Sequence, residues 1–195
     1  MKRSVILVVV VGFALSVGAE EAVLDAASVG NSFSCADAGA VAVVTSRYTG
    51  LHVLGDGFDE VANLGNGGFS MRTHFVGDVL YVTDLSGGVR VFDVSDLAAP
   101  VQLTEIPTRP NCYDVAIADD VLYEVNADNS GAGLEIFDVA DPAAPTPLAS
   151  FNTTNQTQGL GLEGDLLLLA NGFGGLRSVD VANPAAPMLL GDLPF

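Results

Sequence analysis

The sequence predicts an all-β fold, a β-propeller built of four-stranded antiparallel blades, and three observations carry that prediction. One pattern recurs in the stretches 77–100, 119–145 and 164–187: Asp93, Asp138 and Asp180 stand 45 and 42 residues apart, and Pro100, Pro145 and Pro187 repeat the same two intervals. Each copy divides into short apolar segments separated by turn residues, the pattern of strands rather than helices. Every connection within a copy is short, so successive strands pair antiparallel as a meander. Four strands in a period of this size make one blade of a propeller.

In chain order, residues 1–19 carry the parts of a secretory signal: Lys2 and Arg3, an apolar run from Val5 to Leu15, and small residues at Val17 and Ala19. That run is shorter than a membrane span and no second one follows. The expectation is an exported chain cut after Ala19, secreted, held at the cell surface or released into the periplasm, with residues 20–195 as the repeat domain. A lipoprotein would need a Cys directly after the apolar run, whereas Cys35 lies sixteen residues past the cut. Residues 21–28 match the fourth strand of a repeat.

The repeats are expected at about 31–69, 70–111, 112–157 and 158–195. In the second, strands fall at 70–76, 79–83, 89–94 and 101–106, joined by Gly77-Asp78, by 86–88 and by 95–100. The first departs from the pattern: Gly55 stands where Asp is expected, and residues 56–64 replace the Pro turn. Terminal repeats are often atypical. The last has its own fourth strand at 188–193 and then stops at a sequence resembling 105–107, the point where the second copy hands over to the third. This predicts further repeats in a larger ring of roughly six to eight blades. A four-bladed ring, or an open array with a spare N-terminal strand, is the alternative.

The segment 89–94 is apolar on both alternating faces apart from Arg90 and Asp93, as a strand sandwiched between two neighbouring sheets should be. The recurring Asp at its end is expected to accept hydrogen bonds from turn amides of its own repeat, and the Ala-Ala-Pro run that follows is a rigid turn. The pentapeptides Val89-Arg90-Val91-Phe92-Asp93, Leu134-Glu135-Ile136-Phe137-Asp138 and Leu176-Arg177-Ser178-Val179-Asp180, with their downstream Pro turns, resemble the LVIVD repeat of bacterial exported proteins. The resemblance covers most of the chain from about Asn31. It implies propeller-type blades on secreted or surface proteins and says almost nothing about activity.

Charge narrows the function. The chain holds 24 acidic and seven basic residues, net −17, and no Lys after Lys2. Such a surface repels nucleic acid and anionic lipid, which need Lys and Arg to replace their counterions. It suits divalent cations or a basic partner. Seventeen of the acids are Asp, and many stand in turns beside Gly, Asn or Pro, where Asp bonds the local backbone. A solvated surface therefore explains them better than a calcium store does.

Motifs for phosphate binding, zinc proteolysis, serine hydrolysis and EF-hand calcium binding are absent from the sequence. The Gly-rich stretches 65–68 and 172–175 fall at repeat turns. His52 and His74 lie in strands without a third ligand at a recognisable spacing. Tyr48, Tyr81, Tyr113 and Tyr123 read as packing residues of strands. Export permits a disulfide between Cys35 and Cys112, but their unequal places in the repeat leave the pairing open. Asn152 and Asn155 head glycosylation triplets that read as a polar loop.

No catalytic or cofactor-binding residue is assigned, and metal ligands are unknown. The favoured reading is a non-enzymatic binding or scaffold module whose blades present variable loops at one end to a protein or glycan partner; residues 126–133 form a longer loop than 84–88. The alternative is a lactonase-type hydrolase dependent on Ca²⁺, with Asp114, Asp37 and Glu163 on or beside the innermost strands as candidate ligands.

Overall fold

The computed structural model describes residues 32–37, 42–46, 50–54, 60–65, 69–86, 88–127 and 132–194. The signal at 1–19, the extra strand at 21–28 and Tyr48 lie outside the described residues. The first sheet contains β1 (Ser32–Asp37), β2 (Ala42–Ser46), β3 (Gly50–Leu54) and β4 (Glu60–Asn63); the second β5 (Ser70–Val76), β6 (Val79–Asp84), β7 (Gly88–Asp93) and β8 (Val101–Ile106). The third holds β9 (Cys112–Ala118), β10 (Val121–Asn126), β11 (Ala132–Asp138) and β12 (Thr146–Asn152); the fourth β13 (Gly159–Glu163), β14 (Leu166–Ala170), β15 (Leu176–Asp180) and β16 (Met188–Leu193).

Each sheet is an antiparallel meander in chain order, as the short connections require. The only helical piece among the described residues is a 3-10 turn at Gly172–Gly174. In the second sheet β6 and β7 each differ from the sequence expectation by one residue. Val94 leaves the ladder because its amide bonds the Asp78 carbonyl, 2.8 Å away, and the same bond recurs from Val139 to Asp120 and from Val181 to Asp165.

The sheets stack face to face with an apolar layer in each interval. Leu51 and Val53 meet Leu80, Val82 and Phe92 between the first and second sheets. Tyr81, Val89, Val91 and Ile106 meet Val115, Leu122 and Phe137 between the second and third, and Tyr123, Val125, Leu134 and Ile136 meet Leu167, Leu169 and Val179 between the third and fourth. β7 is thus buried on both faces, as its sequence required. Each fully buried Leu or Phe contributes about 1.5–3 kcal/mol, so these layers hold the array together.

The first strands of consecutive sheets lie side by side, β1 by β5, β5 by β9 and β9 by β13, and so form the inner wall of the array. The two ends of the wall differ. At the lower end the turns after β7, β11 and β15 are near copies: Asp93 Oδ1 accepts the Ser95 amide (2.8 Å), and Asp138 and Asp180 accept those of Ala140 and Ala182 (both 2.9 Å). One turn on, Asp96, Asp141 and Asn183 cap Ala98, Ala143 and Ala185 in the same way. The recurring Asp does the turn-capping work expected of it. The upper end carries the loops after β6, β10 and β14 and the connectors between sheets, and there the copies diverge.

Candidate functional site

The upper end is built on one recurring position, the residue that closes or follows the second strand of a sheet: Asp84, Asn126 and Asn171, all fully buried. Asp84 Oδ1 accepts the amides of Phe69 (3.2 Å) and Ser86 (3.0 Å) and the Ser86 hydroxyl (3.0 Å), tying the entering connector to the loop that leaves β6. Asn171 donates through Nδ2 to the Thr153 carbonyl (2.9 Å) and accepts the Thr157 hydroxyl at Oδ1 (3.1 Å). The polar loop 152–157 is therefore an ordered clamp, with Thr153 and Thr157 buried.

On that clamp stands the turn Gly172–Gly174. Its ends are closed by the Asn171 amide on the Gly175 carbonyl (2.8 Å) and the Gly174 amide on the Asn171 carbonyl (2.8 Å). Gly175 has φ +81°, and a Cβ there would overlap the Leu193 carbonyl, so only glycine fits. The product is Phe173, at 103% relative exposure, on a stiff turn. Phe69, on the connector at the same end, is also exposed.

A second cluster lies just below, on the inner wall. Register places Arg72 of β5 (one residue before Thr73, partner of Val82), Asp114 of β9 and Gly159 of β13 at one level, next to the upper end. Arg72 Nε stands 3.9 Å from Asp114 Oδ1, and Asp114 also accepts the amides of Val115 (3.0 Å) and Leu160 (3.4 Å). Burial raises the Asp114 pKa against the opposing pull of Arg72 and these amides. Burial lowers that of the half-buried His74, with Asp114 opposing. This is an acid–base cluster facing the axis.

Of the candidate calcium ligands, only Asp114 belongs to it. Asp37 and Glu163 close β1 and β13 at the lower end, so the structure does not bring the three together. Among the described residues no group of three His, Cys, Asp or Glu lies close enough to hold a metal ion. His52 is buried and meets Asn63 Nδ2 through Nδ1 at 3.3 Å. Tyr81 and Tyr123 are core residues and Tyr113 is half-buried.

Glu124 was not singled out by sequence, although an ionisable residue there was a visible anomaly: it stands where Val82 and Leu169 stand in the neighbouring sheets. It is fully buried, accepts Asn126 Nδ2 at Oε2 (3.2 Å), and carries a pKa raised to about 8, mainly by burial. The adjacent Cys112 thiol is free and buried, and burial pushes its pKa well up too. Buried and protonated, these groups are poor nucleophiles and poor metal ligands at neutral pH. A cleft of about 600 Å³ opens on the outer rim between the second and third sheets, lined by Ile106, Glu135, Phe137 and Pro145 among others. Its acid is already engaged, since Glu135 Oε2 accepts the Arg109 amide at 2.8 Å. Among the described residues no helix is long and apolar enough to cross a membrane.

Solved structures share this architecture at low identity, which shows the fold alone. The chain resembles the computationally designed Ika8 protein (TM-score 0.67, 10% identity), covering 84% of itself and 50% of that chain. It resembles a protein from Bacteroides uniformis assigned as a 6-phosphogluconolactonase (TM-score 0.74, 15% identity, 84% of this chain and 55% of that one). It also resembles a chain from a nidogen/laminin complex (TM-score 0.60, 15% identity, 84% and 66%). The chain thus spans about half the length of the first two. No curated protein matches it. These are propeller proteins, and the four sheets are propeller blades. The LVIVD repeat matches residues 67–108, 113–153 and 156–193, more than half of the chain and one match for each of the last three sheets, and the protein belongs to the LVIVD repeat family.

Proposed function

We propose that the protein is an exported, non-enzymatic binding scaffold, at the cell surface or in the periplasm, which uses the upper end of its blades to hold a protein or glycan partner. The observation that carries this reading is Phe173: a fully exposed aromatic side chain on a turn stiffened by its own hydrogen bonds and by the buried Asn171 clamp. Aromatic side chains presented rigidly lose little entropy on binding and dominate interface energetics. The divergence of the upper loops beside the near-identical lower turns supports the same end. So does the likeness to a chain from a nidogen/laminin complex, in which a propeller of this architecture meets a protein partner.

The test is affinity capture from the source organism's envelope fraction and from a glycan array, with the wild-type chain and Phe173→Ser side by side. The wild type should retain a partner that Phe173→Ser loses. Retention of nothing, or equal retention by both, would sink the reading. A calcium-dependent hydrolase of lactonase type is the second reading, motivated by the axial Asp114 carboxyl. Calcium titration during thermal melting separates the two: a tight site raises the melting temperature by mass action, and an unmoved melt counts against the hydrolase.

A further inference from the structure

The face of the fourth sheet turned away from the third is apolar and exposed, and it is no general surface. In the second sheet the face toward the next blade carries Tyr81, paired with Val91, and Val89, paired with Thr83. In the third it carries Tyr123, paired with Ile136, and Leu134, paired with Val125. Both tyrosines are buried there, at 2% and 4% exposure. Register puts Leu168, paired with Ser178, and Leu176, paired with Ala170, in the same seats of the fourth sheet. Here they stand at 47% and 39% exposure, and Leu166, Met188 and Leu193 extend the patch. The opposite face, with Leu167, Leu169 and Val179, is already filled by the third sheet. The positions that three times within the chain receive a neighbouring sheet thus lie open a fourth time.

We propose that this seat is filled by a second copy of the chain, the fourth sheet of each copy packing on the first sheet of the other to close one ring. A sheet stacked in this way is what the seat accepts in each preceding interval, so the new junction continues an interface already present in the chain. Curvature selects the partner: the four sheets follow an arc equal to about half of propeller chains roughly twice as long. A second arc of identical curvature supplies the missing half. With a two-fold axis along the ring the two junctions are equivalent and no seat is left open.

Sedimentation velocity on the purified full chain, over a wide concentration range, tests this. The expected result is a compact species of twice the chain mass, reduced to the single-chain mass by Leu168→Glu. Leu168→Gln, a milder change at the same half-exposed position, guards against misfolding, and circular dichroism should show the same strand content in each variant. Phe173→Ser should leave the doubled mass intact, which separates failure of this inference from failure of the binding reading. A single mass at all concentrations would overturn it and leave the seat to further blades. A doubled mass surviving both Leu168 variants, or an open-ended series of larger species, would overturn it as well.

Discussion

Glu124 faces the second sheet from the third, between Cys112 and Asn126, with Glu135 adding a repulsive charge. Its pKa rises from 4.5 to about 8 on folding, chiefly because burial penalises the carboxylate. Between those values the folded chain holds a proton that the unfolded chain has released, so stability is full below the lower value and falls as pH rises through the upper one. Glu124→Gln keeps the shape and removes the titration. Denaturant midpoints of the variant should stay flat across this window while those of the wild type decline, and parallel decline in both would assign the effect elsewhere. Phe173→Ser, by contrast, removes a side chain that touches solvent alone, and should change stability by no more than about 0.5 kcal/mol.

At the scale of elements, the turn into the third strand is the tightest feature of a blade. Gly88 and Gly175 both have positive φ, and a Cβ on either would meet a carbonyl of the strand beyond, at Ile106 or Leu193. Gly175→Ala should therefore cost on the order of 1–3 kcal/mol and disturb the β15–β16 pairing. Gly77→Ala, where φ is +57° but no atom lies within 4 Å, bears only the left-handed penalty of about 1 kcal/mol. Equal losses in urea unfolding would show that overlap is not the cause. The strands of the last three blades were legible in the sequence because Asp93, Asp138 and Asp180 cap the same turns with the same residue type. The upper end was less legible because there the role is kept while the residue changes. Arg90 donates to Ser70 Oγ (2.9 Å), Glu135 accepts the Arg109 amide, and Arg177 donates to the Asn152 carbonyl (3.3 Å). All three stand at the second position of the pentapeptide and tie it to the segment entering its blade, yet nothing in their chemistry looks shared. Arg72 and Asp114 were beyond reach for another reason: they lie on different blades, and only the stagger of β5 against β9 makes them neighbours.

For the whole molecule, charge and stacking act against each other. A net charge of −17 spread over blades held by apolar layers destabilises the compact state through self-repulsion, which salt screens over about 10 Å at 0.1 M. Added sodium chloride should therefore raise the melting temperature, and a melt unchanged by salt would mean that the acids are too dispersed to matter. The ladders have one further consequence. Every hydrogen-bonded strand pair joins segments adjacent along the chain, and no strand is borrowed from a distant part among the described residues. A chain threaded end-first through a pore can thus complete one sheet after another as each emerges, without waiting for a remote partner. Array length can also drift over generations by whole repeats, since duplicating or losing one leaves every remaining ladder intact.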